Sequence, residues 1–223
     1  MFILGTVSYQ RTAQLLSTAS LFLMQPLTLK LALDSGMTFL MLFSFAIAGG
    51  LTLVYSFYLR QISIAIMTVG FWLGVGGVTL ELISIGIKGY LISSSIAIAL
   101  LWLLHNRFYN PTVPLRQLYA KAFDYWGIFL AGILLFVLTW HSFFVYWNFV
   151  SFSVVMLTSG GILFGAIVLR YYTSPSVLAL YALGWNIEII IAEVVSVIDA
   201  KLITLSVINL SLGIAIQLLG HWR

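Results

Sequence analysis

Three carboxylates, Glu81, Glu188 and Glu193, stand inside otherwise apolar runs and carry the clearest capacity for chemistry in this sequence. An acidic side chain in the middle of a membrane helix costs on the order of 2.5–3.5 kcal/mol on insertion scales, so each is a candidate functional group by default. The neighbours of Glu188 sharpen its case. Trp185 precedes it by three residues, one helical turn, and Asn186 lies beside them, off by one position. An indole face for stacking, with a carboxylate and a carboxamide for hydrogen bonding, suits recognition of a polar, ring-bearing solute. Trp72 offers a second indole nine residues before Glu81. The candidate solute-binding set is therefore Trp185, Asn186, Glu188, Trp72, Glu81 and Glu193. A plainer reading stands beside it: Glu188 bonds a neighbouring helix and fixes packing, Trp72 packs, and Glu81 and Glu193 snorkel from their helices' outer ends.

Other chemistries find little material. His105, His141 and His221 show no His-x-x-x-His spacing, and no acidic residue is arranged to complete a metal site. No Ser-His-Asp order, phosphate-binding loop or metalloprotease signature is present. The sequence holds 0 cysteines, which removes thiol nucleophiles and thiolate ligands. The expectation is a protein without catalytic residues, metal or cofactor, and not an enzyme.

The elements that must position these groups are set by composition. Of 223 residues, 62% are hydrophobic and 7% charged, and mean hydropathy is +1.11. Soluble domains carry about 25% charge, so too little polar surface exists to cover a soluble globule, and the lipid bilayer is the first partner. The net charge of +4 comes from basic residues scattered singly between apolar runs, which argues against nucleic acid. A spanning helix needs about 20 apolar residues. Runs of that kind fall at 12–32, 36–58, 62–87, 90–104, 125–146, 149–169, 176–197 and 202–219. The first is interrupted by Gln14, Gln25, Pro26 and Lys30, so the count is seven to eight helices. One long connection is expected at 106–124, within which 116–123 reads as a short amphipathic helix on the bilayer surface.

The runs repeat. Gly49-Gly50 answers Gly160-Gly161 at a shift of 111 residues, and Leu59-Arg60 answers Leu169-Arg170 at 110. Trp72 with Trp185 and Lys88 with Lys201 share a shift of 113, as do Tyr58 with Tyr171 and Ser93 with Ser206. Trp and Lys stand sixteen apart in both copies, a coincidence of two rare types that points to internal duplication. If all eight runs span, one side receives Arg11, Arg60, Arg107, Arg116, Lys121, Arg170 and Arg223, and the other Lys30, Lys88 and Lys201. Seven against three places both termini in the cytoplasm. Two copies facing the same way need an odd number of crossings between them, and 125–146 supplies one. The expected fold is an all-α polytopic membrane protein with two parallel three-helix repeats joined by a linker helix. Its segments are an extra N-terminal helix (1–35), a first bundle (36–105), a loop and linker helix (106–147) and a second bundle (148–223).

Parallel three-helix repeats about a linker resemble the scaffold of the SWEET sugar transporters. The layout is also similar to the bacterial nicotinamide riboside transporter family, which shares that scaffold and often carries an extra N-terminal helix. The residues that carry the resemblance are Ile47-Ala48-Gly49-Gly50, Trp102, Gly184-Trp185-Asn186 and the closing Gly220-His221-Trp222-Arg223. The chain departs from the pattern at Gly70-Phe71-Trp72-Leu73-Gly74, where the family has an asparagine, and has Gln25-Pro26 in place of the SWEET Pro-Gln pair. The resemblance implies a facilitative or gradient-coupled transporter in the plasma (inner) membrane, for a small-molecule solute such as a vitamin-like nucleoside. A non-catalytic membrane subunit or scaffold, or a permease subunit of an ATP-driven transporter, also fits the residues. A homo-oligomer and partners in a membrane complex are both compatible with the sequence.

Overall fold

The computed structural model describes Thr12, residues 38–109, 112–146 and 152–197, and six positions between 207 and 217. Among the described residues there is no strand, and six long helices follow one another. They are α1 (Thr38–Leu59), α2 (Ile62–Leu82), α3 (Gly86–Phe108), α4 (Pro114–Tyr146), α5 (Val154–Thr173) and α6 (Val177–Val197). All six are long and apolar enough to cross a bilayer. The protein is an all-α membrane protein. The runs expected at 12–32 and 202–219, and Lys201 with them, lie almost wholly outside the described residues.

Several boundaries differ from the sequence reading, and three of them have a clear local reason. The second run was expected to continue to 87, but α2 stops at Leu82. Ser84 adopts φ +55, and its N–H bonds the Glu81 carbonyl while the Ile85 N–H reaches Leu80. This pair of bonds around a left-handed residue is the Schellman stop, and Gly86 at φ +68 then turns the chain into α3. The long connection shrinks as well. α3 runs to Phe108 and α4 begins at Pro114, so the segment 116–123 is the start of α4 rather than a separate surface helix. Proline at a first helical position loses no hydrogen bond, and no second proline interrupts the helix beyond it. α4 has 33 residues, about 50 Å at the helical rise, so it exceeds the roughly 30 Å hydrocarbon core and carries Arg116 and Lys121 at its leading end. The third difference is α5, which keeps Arg170 in its last turn instead of ending before it. The guanidinium is satisfied there: Nη1 donates to Ser176 Oγ at 2.9 Å, and Cζ lies 6.0 Å from the centre of the Trp102 ring.

Packing divides the chain into two compact units. One comprises 1–86 with 107–126, the other 87–106 with 127–223. In the first, α1 packs on α2, and the leading part of α4 joins them. Tyr119 and Ser56 hydroxyls bond at 2.7 Å, and Trp126 Nε1 donates to the Ile66 carbonyl at 2.8 Å. Phe108 and Phe123 meet edge to face. These contacts gather Arg60, Arg107, Arg116 and Lys121, all exposed, at one end of that unit.

In the second unit the core is a layer of Ile98, Trp102, Leu135, Leu138, Leu163, Ile167 and Ile189, drawn from α3, α4, α5 and α6. Glycines set the close approaches. A Cβ on Gly127 would stand 2.5 Å from Trp102 Nε1, and one on Gly70 would stand 2.6 Å from Trp126 Cζ2. Gly132 on the same helix has nothing within 4 Å among the described residues. Gly127→Ala and Gly70→Ala are therefore expected to destabilise by about 1–3 kcal/mol through overpacking. Gly132→Ala is expected to be neutral or better, by about 1 kcal/mol of helix propensity. Melting of the purified variants in detergent checks this.

Candidate functional site

A polar stripe on α6 faces the interior of the second unit. Asn186, Ile189 and Glu193 recur at the spacing of one helical face and are buried. Asn186 is 0% exposed, and among the described residues neither its Oδ1 nor its Nδ2 has a hydrogen-bond partner. An amide left unpaired in a protein interior costs about 1–3 kcal/mol. Ser159 Oγ on α5 and Trp102 Nε1 on α3 are also buried without a hydrogen-bond partner among the described residues. The Ser159 carbonyl, by contrast, accepts from Ser95 Oγ of α3 at 3.2 Å.

Glu193 lies seven residues beyond Asn186, about 10 Å along the axis, and is 2% exposed. Its Oε1 accepts from Ser142 Oγ at 2.9 Å and lies 2.8 Å from His141 Nδ1, both on α4. The expectation that Glu193 snorkels from its helix end is corrected here: the carboxylate is turned inward and held by two side chains of a neighbouring helix.

The four candidates of the second unit do not share one face of α6. Asn186 and Glu193 share the buried stripe. Two residues apart on a helix means about 160° of separation around it, so Glu188, half-buried, occupies another flank of α6 from Asn186. Trp185 is 42% exposed, and its indole N–H donates to Thr139 Oγ1 at 2.9 Å. Thr139 passes the bond on to the Leu135 carbonyl at 2.7 Å, so the polar edge of Trp185 is spent on α4. Trp72 and Glu81 belong to the first unit. Trp72 is 49% exposed beside Gly49, whose Cβ would meet its Nε1 at 3.2 Å. Glu81 is exposed in the last turn of α2.

His141 and Ser142 were missed as site residues. The available signal was the Asn186–Glu193 spacing, which puts both groups on one face, and a polar pair set among Trp140, Phe143 and Phe144. Among the described residues no three His, Asp or Glu side chains come together, so they assemble no metal-ligand set. What the stripe can do is hydrogen-bond a polar guest at Asn186, as donor and acceptor. No protein family, curated protein or solved structure matches the chain.

Stability tests the unpaired carboxamide directly. Replacing an unsatisfied buried amide with an apolar side chain of similar volume removes a cost and no bond. Asn186→Leu is expected to raise the melting temperature of the solute-free protein, by an amount equivalent to about 1–3 kcal/mol. Ser142→Ala, which takes a donor from Glu193, is expected to lower it. Equal melting of Asn186→Leu and Asn186→Ala below the native chain would show that the carboxamide is already satisfied.

Proposed function

We propose that the protein is a carrier that moves a small polar solute across the membrane, facilitatively or on an ion gradient. The observation that supports this reading most directly is Asn186: a fully buried carboxamide in a membrane helix, with neither atom hydrogen-bonded among the described residues. Intramembrane polar groups normally pair with each other or line a solute pathway. A guest with its own donors and acceptors would satisfy Asn186, and Ser159 Oγ and Trp102 Nε1 are further unmet groups in the same unit. The solute class that fits a carboxamide and an indole is a ring-bearing, hydroxylated compound, with a vitamin-like nucleoside such as nicotinamide riboside as the first to try. The cluster of Arg60, Arg107, Arg116 and Lys121 supports a cytoplasmic placement for that end of the first unit. Trp72 and Glu81 belong to the first compact unit; Glu188 and Trp185 stand on the flank of the stripe.

A second reading has its own support. Phe136, Trp140 and Phe143 form a stacked, exposed aromatic row on α4, with centroids 6.2 and 6.3 Å apart, a surface suited to a partner helix as well as to lipid. The protein would then be a non-catalytic subunit of a membrane complex.

Proteoliposomes loaded with a panel of radiolabelled nucleosides, nicotinamide riboside first, separate the two. The carrier is expected to equilibrate at least one of them, and Asn186→Leu to slow that flux about tenfold or more, the equivalent of one hydrogen bond of about 1.4 kcal/mol. Unchanged flux in Asn186→Leu removes this residue from the pathway. No flux for any solute, together with stoichiometric co-purifying partners, favours the subunit.

A further inference from the structure

The basic end of the first unit presents charge that the solute site does not use. Arg60 follows the last residue of α1, Arg107 stands in the last turn of α3 and Arg116 in the first turn of α4, all exposed. Two hydrogen bonds link the first to the third. The Arg60 N–H closes the final turn of α1 on the Ser56 carbonyl at 3.1 Å, and the Ser56 hydroxyl lies 2.7 Å from that of Tyr119, one turn along α4 from Arg116. Phe108, next to Arg107, meets Phe123 of α4 with ring centroids 5.6 Å apart. Among the described residues none of the three arginines is in an ion pair. Arg60 also stands at φ +48, a left-handed conformation that glycine adopts more easily than any residue with a side chain. An arginine in such a place points to a use for its guanidinium.

The acidic residues number six, and Asp124 alone belongs to this end. It lies about 12 Å along α4 from Arg116 and within one turn of Lys121, on the flank turned away from Tyr119. One negative charge against Arg60, Arg107, Arg116 and Lys121 leaves an excess of three positive charges. Glu81 is in the last turn of α2, at the opposite end of the unit. Glu193 meets α4 at His141, about 38 Å beyond Arg116 along that helix, and Glu188 is about 8 Å from Glu193 along α6. Asp199 lies outside the described residues, six positions past Glu193, a reach of at most about 21 Å. Asp34 lies outside them too, four positions and so at most about 14 Å from the start of α1, while α1 separates that start from Arg60 by about 33 Å.

We propose that Arg60, Arg107 and Arg116 bind the phosphate group of an anionic phospholipid in the leaflet at that end. The cluster sits at headgroup depth: α4 is about 20 Å longer than the hydrocarbon core, and Arg116 is in its first turn. Exposed Tyr58, Tyr109 and Tyr125 accompany the basic residues, and tyrosine collects at the membrane–water interface. Guanidinium forks match the oxygens of a phosphate in charge and in geometry. Along α1 from Arg60, Val54, Leu51 and Ile47 are exposed at helical spacing, an apolar track for the acyl chain. The site is independent of whether the protein is a carrier.

Native mass spectrometry of the full-length protein in a neutral detergent tests this, with equimolar phosphatidylglycerol and phosphatidylcholine, which share a phosphodiester and differ in net charge. Phosphatidylglycerol is expected to be retained in preference, and the preference to fall roughly fivefold in Arg116→Gln, the worth of one basic residue near the membrane surface. Arg60→Gly separates binding from folding. Glycine suits the left-handed turn, so its melting temperature is expected to hold or rise while the preference falls by a similar factor. Lys88→Gln, in the first turn of α3 and outside the cluster, is expected to change nothing. Equal retention of the two lipids overturns the site, as does an unchanged preference in Arg116→Gln or an equal fall in Lys88→Gln. Displacement of the lipid by millimolar inorganic phosphate also overturns it, because the arginines would then serve a free anion. Should Arg60→Gly fail to accumulate, Arg116→Gln decides alone.

Discussion

A polar side chain that its own helix cannot satisfy is the constraint on which the second unit turns. Within lipid no water stands ready to complete a hydrogen bond, so each polar group must find a protein partner. Four hydroxyls of this chain solve the problem locally. Thr52 donates to the Ala48 carbonyl at 2.9 Å, Thr68 to Ile64 at 2.8 Å, Ser95 to Leu91 at 2.9 Å and Thr139 to Leu135 at 2.7 Å. Each spans four residues, so a serine or threonine can lie anywhere on these helices at little cost. Asn186 makes no such bond. A residue that is expensive where it stands, amid side chains that were cheap to choose, is where function is sought first.

Tryptophan on glycine is the packing device in both units, with different outcomes for the indole N–H. Trp126 covers Gly70 and donates to the Ile66 carbonyl one turn earlier, which the missing Cβ leaves approachable. Trp102 covers Gly127 just as closely, yet its N–H has no acceptor among the described residues. The Arg170 guanidinium over its ring supplies attraction of a different kind and uses the π face rather than the N–H. Burying Arg170 in this way also explains why α5 outlasts the apolar run that announces it.

Fold class was legible because length and apolarity alone dictate membrane helices, and all six described helices coincide with runs in the sequence. Their ends were harder to read. The stop at Leu82 depends on a left-handed serine, a residue type that carries no such signal, and the start at Pro114 depends on a proline that reads equally well as a loop residue. Within the candidate site, Asn186 and Glu193 were visible as isolated polar residues. Their grouping was not, because an angular argument taken from Trp185 favours Glu188, whereas packing selected the face a third of a turn away. His141 was legible only as a residue type. Its value comes from a contact with Glu193, 52 positions away, and pairings of that range follow from helix packing that no local pattern encodes.

Asn186 and Glu193 ride on one rigid helix, and this links what happens at each. Sliding α6 against α4 breaks the bonds of Glu193 to His141 and Ser142 and, further back, that of Trp185 to Thr139. A guest that bonds Asn186 in one position of α6 and not in another would shift that packing equilibrium, and the rigid helix would carry the change to the Glu193 contact.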